Sequence, residues 1–182
     1  MKYSDWKLDK LKDIQPNDFF ELIQNNKTHI QNSFIITVSN CKDLEKTNQY
    51  FKVKKNNQDN KTNFYFYIKN IDTNKLIGHI GIKKIDYKIS KCEIFYFIDK
   101  SFEGKGIISN AVLQILEFCF NELLMQKIVI CTSLVNIGCQ KIALKHNFKQ
   151  EGILRNDRLN HLNEFEDVVC FGLLKSEYKN KL

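Results

Sequence analysis

One turn of the chain has a composition that suits anion binding: residues 102–108, which read Phe-Glu-Gly-Lys-Gly-Ile-Ile. Its two glycines, Gly104 and Gly106, let the backbone approach a ligand closely. A helical pattern begins directly after them, and the first amides of a helix are unsatisfied donors at the positive end of its dipole. These features favour a phosphate or pyrophosphate ligand, but they also suit an ordinary strand-to-helix turn. The turn matches neither the P-loop pattern GxxxxGK[ST] nor the dinucleotide pattern GxGxxG.

The segments before this turn predict a short strand, two helices and three strands. An edge strand contains Trp6, a helix capped by Asn17 or Asp18 runs to about Gln31, and a second helix covers about 42–53. The polar run KKNNQDNKTN that follows predicts a solvated loop. Alternating apolar residues then predict an antiparallel meander of three strands, in NFYFYIKN, LIGHIGIKKI and CEIFYFID.

The segments after the turn predict two further helices and three further strands. Apolar spacing of three and four places one helix at about 107–124. It is followed by the strand KIVICTS, the helix NIGCQKIALKHN, and the closing strands FKQEGILRN and FEDVVCFGLL. The predicted order is β-α-α-β-β-β-α-β-α-β-β. With no internal repeat or linker, residues 1–182 are expected to form one domain.

The composition narrows the class of protein. The net charge is +7, but 26 Lys accompany only 2 Arg and are spread along the chain, which argues against a nucleic-acid interface. No apolar segment is long enough to span a bilayer and no secretory leader is visible, so we expect a soluble, cytoplasmic protein. The six cysteines form no CxxC pair and the histidines show no ligand spacing. We therefore expect free, buried thiols and no metal site.

Five landmarks, taken in order, resemble the GNAT acetyltransferase superfamily and, within it, the Rim-type ribosomal-protein N-acetyltransferases. They are LIGHIGI, CEIFYFID, SFEGKGIISNAV, NIGCQKIALKHNFKQEGILRN and FEDVVCFGLLKSEY. The opening helix PNDFFELIQNNKTHI also fits, so the resemblance covers nearly the whole chain. It implies an α/β (α+β) fold: a mixed, mostly antiparallel central sheet with splayed middle strands, flanked by helices.

The resemblance also implies where acetyl-CoA would bind, as a co-substrate with no metal. The pantetheine arm would pair with the backbone of the splayed strand, and Asn136 would reach the same arm or simply cap its helix. The pyrophosphate would accept hydrogen bonds from the backbone amides of residues 103–108, which we call the glycine turn. The implied binding residues are Phe97, Ile98, Glu103, Gly104, Lys105, Gly106, Ile107, Ile108 and Asn136.

Several residues depart from the family pattern. Glu103 replaces a Gln or Arg, and a carboxylate beside a pyrophosphate is unfavourable unless it faces solvent or pairs with Lys105. Phe95 replaces a glycine and would narrow the acceptor cleft. Asn147 replaces a glycine more mildly, because Asn tolerates positive φ.

The resemblance implies three candidate catalytic residues. Glu93, on the splayed strand, matches a general-base position, but its side chain also suits a structural role in the sheet. Asp157 lies one residue from a position where Rim-type enzymes carry a carboxylate. Cys139 stands where they carry a serine, so its thiol is a candidate donor to the departing thiolate or a packing residue. The tyrosine that many relatives use as the donor is Ala143 here.

These features predict an N-acetyltransferase that acts on a primary amine, most readily a protein N-terminus such as that of a ribosomal protein. Two alternatives stay open: a small-amine acetyltransferase acting on a polyamine or an aminoglycoside-like antibiotic, and an acyl-CoA-binding module without turnover. The sequence leaves a monomer or a homodimer equally open.

Overall fold

The computed structural model describes residues 5–178, which form seven strands and five longer helices. The strands are β1 Trp6–Lys10, β2 Phe64–Asn70, β3 Leu76–Asp86, β4 Lys91–Ile98, β5 Lys127–Ser133, β6 Lys149–Leu159 and β7 Phe165–Leu174. The helices are α1 Pro16–Ile30, α2 Ile35–Asn40, α3 Leu44–Asp59, α4 Ile107–Glu117 and α5 Ile137–Lys145. Short 3-10 turns occupy Leu11–Asp13, Lys100–Phe102 and Lys175–Glu177.

The strands follow the order β1-β2-β3-β4-β5-β7-β6 in the sheet. The β1–β2, β5–β7 and β6–β7 ladders are antiparallel, whereas β4 and β5 pair in parallel. Parallel neighbours need a long crossover, and here α4 supplies it between β4 and β5. The mixed, mostly antiparallel sheet predicted from the sequence is therefore confirmed, as is the edge position of β1.

The chain divides into two compact units. The first lies within Met1–Gly81 and Tyr96–Ala111, and the second within Ile82–Phe95 and Val112–Leu182. Strands β3 and β4 and helix α4 each have residues in both units. The single domain over residues 1–182 stays a prediction, and its first four and last four residues lie outside the described part of the chain.

The core of the first unit is built from aromatic rings. Phe19 of α1 meets Tyr67 of β2 edge to face, with ring centroids 5.5 Å apart, and Phe51 of α3 approaches Phe19 at the same distance. His79 of β3 stacks on Tyr67 at 4.7 Å. Burial, with Lys54 nearby, holds the pKa of His79 well below its ordinary value. These edge-to-face and stacked pairs are the arrangements that ring quadrupoles favour.

Helix α3 is longer than predicted because Lys54 is part of the core. The helix continues to Asp59, so most of the predicted solvated loop is helical. Thr47, Phe51 and Lys54 recur at four and three residues on the buried face, and Lys54 is only 1% exposed. Its Nζ lies 4.0 Å from the centroid of the Tyr65 ring and 3.5 Å from His79 Nε2. The predicted solvated loop was therefore wrong at Lys54, since an ammonium can pack against ring faces.

Two other expectations about the helices need correction. The N-cap of α1 is Gln15, with Pro16 in the first turn, whereas Asn17 lies inside the helix and donates to Glu21. Helix α4 ends at Glu117 and continues as a wider π-helical turn, Phe118–Glu122, rather than as regular helix to residue 124. In addition, the structure contains the short helix α2, which the sequence did not predict.

The second unit packs the later part of α4 and its π-helical turn with the strands of that unit. Its fully buried side chains include Val112, Cys119, Phe120 and Ile128. None of the six cysteines forms a disulfide. Cys41, Cys92 and Cys119 are buried as expected, whereas Cys131 and Cys170 are only half-buried, as is the candidate site residue Cys139. Cys131 and Cys170 are paired across the β5–β7 ladder, with sulfurs 2.7 Å apart.

Burial lowers the pKa of Lys54 from 10.5 to about 7, so the folded state disfavours its charged form. Between these values the unfolded chain binds more protons than the folded one, and raising the pH therefore stabilises the fold. Lys54→Met removes the titrating group and keeps the side-chain length. From about pH 7 to about pH 10 the free energy of unfolding of the wild type should rise relative to that of Lys54→Met, on the order of a few kcal/mol. Urea titrations across this range measure the difference. Parallel curves for the two proteins would show that the ring faces keep Lys54 protonated in the folded state.

Candidate active site

The glycine turn, residues 103–108, connects β4 to α4 in the way that the sequence predicts. The backbone φ is +71° at Gly104 and +76° at Gly106, in the left-handed region that favours glycine. A Cβ added at either residue would meet nothing within 4 Å, so the dihedral angle, not crowding, calls for glycine. The first helical bond runs from Asn110 N–H to the Gly106 carbonyl. The amides just before it lie at the positive end of α4, as an anion site requires.

The two charged side chains of the glycine turn have separate contacts. Glu103 is half exposed and pairs with His29 of α1, at 3.2 Å between Oε1 and Nε2. Lys105 extends over the Phe102 ring, with Nζ 4.6 Å from its centroid. Of the two arrangements left open for Glu103, solvent exposure or pairing with Lys105, the structure shows a half-exposed side chain that pairs with His29 instead of Lys105.

Phe97 and Ile98, the predicted pantetheine residues at the end of β4, are buried in the first unit. The Phe97 ring packs edge-on against Phe34, with centroids 5.1 Å apart. Its carbonyl oxygen lies 2.9 Å from where a Cβ on Gly78 would stand, so β3 can approach β4 here only because residue 78 has no side chain.

The β4–β5 ladder is short. It pairs Lys91 with Lys127, Cys92 with Ile128 and Glu93 with Val129. In the second unit Ile94 and Phe95 continue β4 beyond this ladder, and β5 continues to Ser133. The middle strands thus part after Glu93, and the backbone of Ile94 and Phe95 is left outside the β5 pairing.

Glu93 lies at the last rung of this ladder and is only 6% exposed. Its Oε1 accepts from Lys83 Nζ and its Oε2 from Lys84 Nζ, each at 2.9 Å. Neighbouring strand residues normally point to opposite faces, but φ is +51° at Lys84, which lets both lysines reach one carboxylate. We call Lys83, Lys84 and Glu93 the carboxylate clamp. Its two ion pairs occupy both oxygens of the predicted base.

Asp157 lies in an irregular part of β6. The β6–β7 register shifts between Leu154 and Arg158, and Asn156 has a φ of +51° while its N–H donates to Asp167. The Asp157 side chain is exposed. The pKa of Lys84 is raised, chiefly by its hydrogen bond to Glu93, and the charge of Asp157 adds to this. Asp157 therefore acts electrostatically on the carboxylate clamp.

Cys139 and Asn136 lie together at the start of α5. Asn136 is the N-cap, and its Oδ1 accepts from the Cys139 N–H at 3.0 Å. Because the cap occupies Oδ1, the Asn136 Nδ2 group is the part of that amide that remains for a ligand. Ala143, one turn later, is fully buried. These residues, the clamp and Asp157 belong to the second unit, whereas the glycine turn belongs to the first.

A family model described as an acetyltransferase (GNAT) domain matches residues 10–149, more than half of the chain. The chain belongs to the GNAT acetyltransferase family. Two curated relatives of this GNAT chain are YdaF of Bacillus subtilis (strain 168), 34% identical over 106 residues, and the ribosomal-protein-serine acetyltransferase of Escherichia coli (strain K12), 28% identical over 100 residues. These matches cover 58% and 52% of this chain and 57% and 56% of the relatives. The chain thus spans less than two thirds of the length of these relatives.

Solved GNAT structures share the fold over nearly the whole chain. RimL, a ribosomal L7/L12 alpha-N-protein acetyltransferase in complex with coenzyme A, superposes with a TM-score of 0.85 at 17% identity, covering 96% of this chain and 97% of RimL. A mutant of the spermidine N-acetyltransferase SpeG from Vibrio cholerae gives 0.77 at 19% identity, covering 98% and 99%. The predicted GNAT fold is confirmed. No helix among residues 5–178 is both long and apolar enough to cross a membrane.

Sequence reasoning missed three residues of this GNAT chain: Lys83, Lys84 and His29. The adjacent lysines in LIGHIGIKKI break the alternation expected of a strand, and that break could have indicated an irregular backbone. Nothing in the sequence near His29 indicates its pairing with Glu103, because the two residues are brought together only by the fold.

Proposed function

We propose that this protein transfers an acetyl group from acetyl-CoA to the α-amine of a protein N-terminus. Membership of the GNAT family supports the acetyl transfer. The name of the Escherichia coli relative supports a ribosomal protein as the acceptor. The observation that carries the choice of acceptor is the carboxylate clamp, in which two lysines occupy both oxygens of the buried Glu93.

The glycine turn would hold the pyrophosphate of acetyl-CoA. The Glu103 N–H already donates to the Lys100 carbonyl, but the amides from Gly104 to Ile108 precede and open α4, at the positive end of that helix. Lys105 adds a mobile cation. The backbone of Phe97 and Ile98 and the Asn136 amide would contact the pantetheine arm. Backbone donors and a cation would thus contact the phosphates, and neutral polar groups would contact the pantetheine arm.

The carboxylate clamp favours an acceptor that needs little help to lose its proton. An α-amine titrates near pH 8, whereas a lysine or polyamine nitrogen titrates above about pH 10 and depends more on a general base to become nucleophilic. Lys83 and Lys84 each pair with one oxygen of the buried Glu93, so Glu93 could accept a proton there only in competition with two ammonium groups. The two ammonium groups also repel a polycation. An α-amine therefore fits this site better than spermidine does.

An acceptor panel tests this choice. Three acceptors are compared at equal concentration: a short peptide with a free α-amine, the same peptide acetylated at its N-terminus but carrying a lysine, and spermidine. With acetyl-CoA, release of the CoA thiol should be fastest with the free α-amine, by about tenfold or more, because a pKa lower by one or more units raises the neutral fraction by that factor. Faster turnover of spermidine would support the polyamine alternative instead. Thermal stabilisation by CoA without turnover of any acceptor would indicate a binding module.

The chemical step has three proton requirements. The neutral amine attacks the thioester carbonyl, the C–S bond breaks, the amine nitrogen loses one proton and the CoA thiolate gains one. We assign the removal of the amine proton to Asp157 or, through a water molecule, to Glu93. The Asp157 side chain is exposed, whereas an oxygen of Glu93 would first have to lose its ion pair with a lysine. Cys139 is our candidate donor of the proton that the CoA thiolate gains.

The two carboxylates can be separated by paired variants. Asp157→Asn should lower kcat by about tenfold to a thousandfold, the range that positioned acid–base groups contribute, with partial recovery at high pH. Glu93→Gln should instead act mainly through the clamp, lowering the free energy of unfolding because two lysines lose their anionic partner. The measurements are pH–rate profiles and urea titrations of both variants. A large loss of kcat in Glu93→Gln with unchanged stability would make Glu93 the base.

Cys139 is tested by two substitutions of graded chemistry. Cys139→Ala should lower kcat with little change in CoA affinity, since it removes the proton donor but no phosphate contact. Cys139→Ser should recover part of the rate because a hydroxyl can also donate. If the thiol only fills space, Cys139→Ala would leave turnover unchanged and lower the free energy of unfolding by about 1 kcal/mol. Steady-state kinetics with calorimetric CoA titration distinguish these results.

A further inference from the structure

The segment that leads into the glycine turn is fixed by a buried asparagine of α1. Asn26 is 3% exposed, and both ends of its amide are used. Its Nδ2 donates to Asp99 Oδ2 at 2.8 Å, and its Oδ1 accepts from the Lys100 N–H at 3.0 Å. Asp99 in turn accepts from the Ser101 N–H. Because buried amides are held by their hydrogen bonds, Asn26 sets the position of the chain from Asp99 onward.

His29 follows Asn26 by one helical turn and therefore lies on the same face of α1. Its Nε2 is 3.2 Å from Glu103 Oε1, with 27% of the His29 side chain and 51% of the Glu103 side chain exposed. His29 lies in the last turn of α1, where the negative end of the helix favours a cation. The pair thus anchors the carboxylate of the glycine turn to α1, at the residue just before Gly104.

Charged groups near His29 lie on α1, on the segment that leads into the glycine turn, and on the turn itself. Glu103 pairs with His29 and Asp99 interacts with its charge, while Lys27 lies on the same helix as His29. Burial raises the pKa of Asp99 most, but hydrogen bonds from Asn26 and Ser101, with the charge of His29, lower it overall. Lys100 lies in the segment that leads into the turn, and Lys105 lies within the turn with its ammonium over the Phe102 ring. Glu103 is thus the one carboxylate within residues 103–108, and His29 is its partner.

A carboxylate within a phosphate-binding turn opposes the ligand that the turn is built for, unless it is held away or neutralised. We propose that His29 is a positioning residue for CoA, which holds the Glu103 carboxylate off the phosphate position while Asn26 fixes the segment that carries it. The inference rests on the proposed function, since it assumes that CoA binds at the glycine turn.

A double-mutant cycle on CoA affinity tests the inference. His29→Ala should weaken CoA binding about twofold to fivefold, the size of a partly exposed polar pair. In a Glu103→Gln background the same substitution should have no effect, because no carboxylate is left to hold. Glu103→Gln alone should bind CoA at least as tightly as the wild type. The measurement is calorimetric titration with CoA.

A matched control sharpens the cycle. Lys27→Ala removes a neighbouring cation from α1 and should affect CoA affinity equally in the wild-type and Glu103→Gln backgrounds.

Equal effects of His29→Ala in the wild-type and Glu103→Gln backgrounds would overturn the inference, since His29 would then act on the phosphates directly or not at all. If the folded wild type binds no CoA, the proposed function itself fails, which is distinct from CoA binding without coupling between His29 and Glu103.

Discussion

Strand β4 loses its partner β5 after Glu93, and the features of functional interest depend on where that pairing stops. Before the stop, β4 is an ordinary central strand with a parallel neighbour. After it, the backbone of Ile94 and Phe95 is outside the ladder, and β4 runs on to the glycine turn. Under the proposed function, the pantetheine arm of acetyl-CoA would lie along β4 beyond this ladder, in the manner of an added strand. The last paired residue, Glu93, holds its carboxylate at the point of separation.

Two carboxylates near the proposed chemistry, Glu93 and Glu103, pair with basic residues from other elements of the chain. Glu93 takes two lysines from β3, and Glu103 takes a histidine from α1. Each pairing places a basic side chain beside a carboxylate that would otherwise be available as a general base or would repel a phosphate. Under the proposed function this arrangement favours an acceptor whose neutral fraction is larger, which is the physical basis for choosing an N-terminal α-amine over a polyamine.

The aromatic core of the first unit holds a lysine where an apolar residue would be expected. Lys54 has ring faces around its ammonium and His79 beside it, and burial disfavours its charge. A cation–π contact offsets part of the free energy lost when the ammonium leaves water. The Lys54 contacts also explain the length of α3, since a lysine on the buried face extends the helical stripe by a turn.

The sequence by itself determined the order of strands and most helices, the family, and the conformation at the glycine turn. Those features follow from local patterns: alternation along strands, spacing of three and four along helices, and glycines or asparagines where φ is positive. Asn147, with φ of +63°, is one such position that was predicted correctly. The helix cap by Asn136 follows from the same kind of local pattern.

Only the tertiary structure decided which charges meet. The two lysines reach Glu93 because φ at Lys84 is positive and because β3 passes close to β4, and neither fact is visible in a run of residues. His29 meets Glu103, and Lys54 meets its rings, across long separations in the sequence. Such contacts depend on the path of the whole chain, whereas propensity and periodicity act over a few residues. That difference in range is why the sequence indicated an acetyl-CoA turn but not the residues that hold its carboxylate in place.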